Sequence, residues 1–220
     1  MLSVLGRRRA ALLACALTAT LGAAAYAATS RPVENREPVA TVDRVQGDTS
    51  VDRDGLTTPL KGGEPLIRYD RIKTGAGARL AVTFNDGSTL LLGENTHISI
   101  DQFLPEQGRK SGALILDMLY GAFRLTSKEP VQAPDKRVQV RTSTAFIAAR
   151  AADFWSGGID GKFGVMLLGG SINVRNDAGS VVLDRRRHGT LIADRSIAPD
   201  QVTTWPTEKS NRALRTVAFK

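Results

Sequence analysis

The sequence predicts an all-β protein: short strands in a solenoid-like or rolled arrangement, with a β-sandwich as the alternative. Three observations predict it. Apolar runs are short and broken by Gly, Asn or Asp. Within them, apolar and polar residues alternate. Amphipathic helical spacing is hard to find along the chain. With 220 residues, 42% hydrophobic and 24% charged, the composition is that of a folded protein of one domain or two small ones.

The first element is a leader. Arg7, Arg8 and Arg9 precede an uncharged run from Ala10 to Ala25, and Ala25-Tyr26-Ala27 supplies a small-x-small cleavage site. These are the parts of a secretory signal peptide. The apolar run is shorter than the ~20 residues a spanning helix needs. The expected product begins near Ala28, is periplasmic or secreted, and has no stable membrane span. The alternatives are an N-terminal anchor or a lipoprotein acylated at Cys15. Cleavage after Ala27 removes Cys15, the single cysteine, and with it all thiol chemistry. It also removes Arg7, Arg8 and Arg9, leaving 27 basic against 22 acidic side chains. So mild an excess suits solvation, or anionic surfaces, better than nucleic acid.

Residues 28–39, with Pro32 and Pro38, read as a linker, and residues 40–189 as the β domain. Val42, Val45 and Val51 surround a Gly47-Asp48 turn. Leu80, Val82 and Phe84 alternate, and Asn85-Asp86-Gly87-Ser88 follows as a tight hairpin signal before Thr89–Leu92. His97–Asp101, Leu114–Leu116, Ala122–Leu125, Val138–Thr142, Phe163–Leu167, Ile172–Val174 and Val181–Leu183 continue the pattern. Residues 190–220 read as a C-terminal extension. Ala113–Leu125 and Lys162–Val174 also echo each other: Gly121 aligns with Gly170, Phe123 with Ile172 and Leu125 with Val174. Each copy reads as strand, Gly-centred turn, strand. The phase puts Phe123, Leu125, Ile172 and Val174 inside, and Arg124 and Asn173 outside.

Two stretches carry a family likeness. The first runs from Pro59 through Asp70-Arg71-Ile72-Lys73-Thr74-Gly75, the strand ending at Phe84, Asp86-Gly87-Ser88 and Leu92-Gly93 to Asp101. The second is Gly121–Arg124, Val138–Phe154 and Leu168–Val174. From Ala40 to about Gly189 the chain resembles the FecR domain, the periplasmic module of iron-dicitrate-type sensor proteins. The resemblance implies a β fold, an envelope location and a role in signal-related recognition. One departure falls at Arg150-Ala151-Ala152-Asp153-Phe154, where the family usually has Arg-Gly-Thr-x-Phe; a local bend is in question there. Signalling members carry a sigma-factor-binding segment before a membrane helix and a further domain after this one. Only six residues precede Arg7 and about thirty follow Gly189, so the expected carry-over is fold and compartment rather than the signalling circuit.

No catalytic, cofactor or metal site is expected. His97 and His188 lie far apart, Ser88 follows a hairpin rather than a nucleophile elbow, and Asp43, Asp48, Asp52 and Asp54 lack calcium-loop spacing. The chain is therefore read as a binding module, not an enzyme. Its partner is an envelope protein or an anionic glycan; the alternative is an accessory subunit of an envelope complex. Candidate contact residues are Trp155, beside a Gly-rich loop, and the basic cluster Arg185, Arg186 and Arg187. Trp155 also fits as a cap on the core.

Overall fold

The computed structural model describes residues 37–104, 112–127 and 137–220. The leader, its cleavage site, Cys15 and most of the linker lie outside the described residues. The all-β expectation is met, with strands joined into one mixed sheet that does not close.

The sheet is folded over into two wings. The first wing carries β2 (Thr49–Arg53), β3 (Leu56–Pro59), β5 (Arg71–Thr74), β8 (His97–Leu104), β9 (Ala113–Tyr120) and β11 (Arg137–Arg141), in the order β3-β2-β5-β8-β9-β11. The second carries β1 (Ala40–Gln46), β4 (Pro65–Leu66), β6 (Arg79–Phe84), β7 (Thr89–Leu92) and β10 (Ala122–Thr126), in the order β4-β1-β6-β7-β10. A long hairpin, β12 (Phe146–Ile159) and β13 (Lys162–Arg175), belongs to both. Phe146–Ala149 pairs with β11, and Asp153–Gly157 pairs with β10. Beyond β13, β14 (Ser180–Leu183) extends the first wing; β15 (His188–Ile192) and β16 (Thr203–Thr204) extend the second.

The wings enclose one core. Phe84 of β6 and Phe103 of β8 lie far apart in strand order, yet their rings stack at 6.0 Å. Val, Leu, Ile and Ala from both wings fill the space between them, as the scarcity of aromatic residues requires.

The family-like motif residues are the joints of this fold. Asp70 is fully buried; Arg53 donates to both its oxygens at 2.8 and 2.7 Å, and the Ile67 N–H donates to it at 2.9 Å. Thr74 Oγ1 donates to the Gly93 carbonyl at 2.6 Å and accepts from Thr96 N–H at 2.9 Å. In the Asp86-Gly87 turn, Gly87 has φ +77° and Ser88 N–H donates to Asp86 Oδ1 at 2.8 Å.

The two echoing segments are not strand–turn–strand units. Strands β9 and β10 do not pair with each other, and Lys162–Arg175 is one strand. Gly121 and Gly170 instead mark two of the places where the chain passes from one wing to the other. Both have positive φ, +108° and +79°. A Cβ on Gly121 would lie 2.2 Å from Thr96 Oγ1, and one on Gly170 only 1.8 Å from the Ala151 carbonyl oxygen. The departure at Ala151-Ala152 leaves the bend intact. Pairing between β12 and β13 shifts register there, and Ser127 Oγ accepts from Ala152 N–H at 3.2 Å and donates to its carbonyl at 3.3 Å.

The expected strand phase holds: Phe123, Leu125, Ile172 and Val174 are buried and Asn173 is outward. Arg124 is outward too, but it is not a bare surface residue. It clamps both oxygens of Asp153 at 2.8 and 2.6 Å.

The sequence shows no helix, yet residues 207–215 form α1 (Thr207–Arg215). It packs on the outer face of the second wing. The tail beyond it returns to β1 and β6: Arg79 Nε donates to the Ala218 carbonyl at 3.2 Å, Arg44 lies 4.5 Å over the Phe219 ring, and Lys220 N–H donates to Gln46 at 3.0 Å.

Two predictions test this architecture. Gly87→Ala meets open space and strains only the backbone, roughly 1–2 kcal/mol. Gly121→Ala adds a collision with Thr96 and should cost more; equal urea midpoints would refute the corner assignment. Phe123→Ala should cost roughly 3–5 kcal/mol, and Arg124→Ser about 1 kcal/mol through its lost ion pair. If Arg124→Ser proves the more damaging in urea titration, the strand phase is inverted.

Candidate protein-recognition face

The outer faces of the two wings differ. On the second wing a small satellite core covers the sheet, formed by Ala122, Trp155, Met166, Trp205, Ala213 and Val217. Trp155 is fully buried there, its Nε1 donating to Thr216 Oγ1 at 2.9 Å and its ring edge-on to Trp205 at 6.2 Å. This corrects the expectation of a partner anchor: Trp155 is a core residue beneath α1. Lys209 lies 4.3 Å over Trp205, and both Lys209 and Arg212 reach Asp160 at 2.8 Å. Their hydrogen bonds hold the Asp160 carboxyl below its ordinary value, that from Lys209 most strongly.

The basic cluster divides. Arg187 takes a left-handed backbone, φ +66°, and ties the α1 approach to the sheet. Its N–H donates to the Leu167 carbonyl at 2.8 Å, its carbonyl accepts from Trp205 N–H at 2.8 Å, and its Nη1 donates to Thr207 Oγ1 at 2.7 Å. Arg187 is therefore a structural tether. Arg185 and Arg186 are exposed.

The outer face of the first wing has no such cover among the described residues. Register aligns Gln102, Ile115, Gln139, Ala148, Asn173 and Val182 in one row across β8, β9, β11, β12, β13 and β14. Each stands at an outward position of its strand, and none is charged. The row lines a broad depression of about 1220 Å³, whose lining includes the small residues Ala148, Ala151 and Gly170. Beside it runs a second row, Asp117, Arg141, Phe146 and Arg175, whose charges are committed to one another. Arg141 pairs with Asp117 and, at 2.7 Å, with Asp101; Arg175 lies 4.4 Å over Phe146. The row itself is thus uncharged; Arg137 also lines the depression, and the paired charges of Asp117 and Arg141 run beside it. Small side chains let another backbone come close.

The other residues weighed from the sequence do not converge. His97 lies edge-on to Tyr120 at 5.7 Å, and burial, then Lys73 and Arg71, push its pKa down. Ser88 is buried in its hairpin. Asp43 accepts from the Thr83 hydroxyl and Asp52 from Gly55 N–H.

Fold and face together define an all-β domain whose two outer faces differ. Residues 70–173 match the family described as FecR protein. No curated protein matches the sequence. Two crystal structures of a candidate anti-sigma factor from Parabacteroides distasonis, at 2.50 and 1.65 Å resolution, are similar in fold. Each has 16% identity and a TM-score of 0.51, over 66% of this chain and 63% and 64% of theirs. This chain therefore spans less than two thirds of their length. The family match ends at Asn173, so β14, Arg185, Arg186 and α1 lie outside it.

Thr216→Val should leave the buried Trp155 Nε1 without its acceptor and cost about 1–3 kcal/mol. A calorimetric melt unchanged by this substitution would show that α1 and the tail do not seal the second wing.

Proposed function

We propose that this protein is an exported FecR-domain module of the cell envelope that recognises a partner protein in a signal-related role, through the outer face of its first wing. The single observation carrying this reading is the uncharged row from Gln102 to Val182: a sheet face six strands wide, concave and left open among the described residues while the opposite wing is capped. The family match supports a signalling context, and the leader-like N-terminus supports export.

The test is a photo-crosslinking residue at Asn173 in the native host, with one at Glu208 on α1 as control. A discrete crosslinked protein at Asn173 and not at Glu208 is expected; identical patterns would sink the reading. Deletion of the gene should also shift transcription of a defined gene set. An unchanged transcript profile would leave an accessory subunit instead. Intact mass of the exported form should place its N-terminus at Ala28, and an acylated species retaining Cys15 would make it a lipoprotein.

A further inference from the structure

Strands β3, β4, β14 and β16 each pair on one side only. Such edges accept further strands unless something blocks them. Strand β3 ends in Pro59, β4 begins with Pro65, and β16 is two residues long and soon followed by Pro206. Strand β14 reads Ser180-Val181-Val182-Leu183, with neither proline nor charge. It is also the edge of the uncovered wing.

The hydrogen-bonding phase shows what β14 presents. Asn176 N–H donates to the Gly179 carbonyl at 2.9 Å at the closed end of the β13–β14 hairpin. Bonded pairs alternate along an antiparallel ladder. Val181 and Leu183 therefore bond to β13, while the N–H and C=O of Ser180 and Val182 point away from it. The Leu183 side chain is fully buried, and Val182 stands 55% exposed at the end of the neutral row. Directly beyond β14 come the exposed Arg185 and Arg186, neither in an ion pair among the described residues.

We propose that β14 is an acceptor edge for an extended, acidic segment of the partner protein. This deepens the recognition reading above and rests on it. The incoming strand bonds to Ser180 and Val182, and its alternate side chains prolong the neutral row into the depression. Its carboxylates meet Arg185 and Arg186. A second copy of this chain fits less well. Antiparallel pairing of two β14 strands would set these arginines against the 176–179 turn of the other copy, where Asp177 is already held by Arg195 at 2.8 Å.

The probe is a displayed library of short random peptides, panned on the purified protein, with selected peptides measured by fluorescence anisotropy. Selected peptides should be rich in Asp and Glu towards one end. Val182→Pro removes an N–H that faces the open edge and leaves β13 pairing untouched. It should weaken binding at least about tenfold, as should the double variant Arg185→Glu, Arg186→Glu, since one or two lost charge-assisted bonds suffice for that. N-methylation of alternate peptide nitrogens should do the same without altering the protein. No binders, binders lacking acidic residues, or binders indifferent to these changes would overturn the proposal. So would a dimer seen by sedimentation that Val182→Pro abolishes. An Asn173 crosslink that persists in the Val182→Pro variant would sink the edge assignment alone, whereas loss of any Asn173 crosslink in the parent would sink the recognition face.

Discussion

Everything in this fold depends on turning one sheet over on itself, and the turn depends on the absence of two Cβ atoms. At Gly170 the neighbouring strand's Ala151 carbonyl occupies the space a side chain would need. At Gly121 Thr96 does the same. The close approach lets β12 and β13 bend together and serve both wings, so a single hairpin fixes the angle between the two halves of the core. Bulges and positive-φ glycines are the usual means by which a strand turns a corner. Here the register shift between Ala149 and Phe154 supplies the extra length, and Ser127 satisfies the backbone groups it exposes.

The two outer faces then follow different rules. Over the second wing, large aromatic side chains need burial, and the chain's own last residues supply it. The Trp155 indole finds a hydroxyl, Trp205 finds a cation, and two basic residues neutralise Asp160. Over the first wing, the row from Gln102 to Val182 carries no charge and no large aromatic side chain, and so demands no cover of that kind. Burying such a face costs little desolvation, which is what a recognition surface requires.

Much of the fold was legible locally. Alternation located the strands, and Asp86-Gly87 located the tight turn because its chemistry is complete within four residues. The equivalence of Gly121 and Gly170 was also visible, but its meaning was not. A glycine between two apolar runs reads the same whether the chain reverses or crosses to another layer, and only the pairing partners distinguish them. Helix α1 escaped notice because its buried residues are Ser210 and Ala213, which carry no apolar stripe. Trp155 stands out in the sequence beside Ser156-Gly157-Gly158, yet its burial depends on residues some sixty positions away. The neutral row could not be read at all. Each member is an ordinary outward residue on its own strand, and the six come together only once five registers are set.

The tail has a kinetic meaning. Lys220 and Ala218 hydrogen-bond to Gln46 and Arg79, and Phe219 packs beneath Arg44, so residues 218–220 are stitched to strands well over a hundred positions away. Contacts this distant along the chain form slowly, because a long loop must be closed before any bond rewards it. Until residues 207–217 dock, Trp155 and Trp205 have no roof. The second wing is therefore completed by a segment far from its first strands along the chain, and its closure is the step that waits on the longest loop.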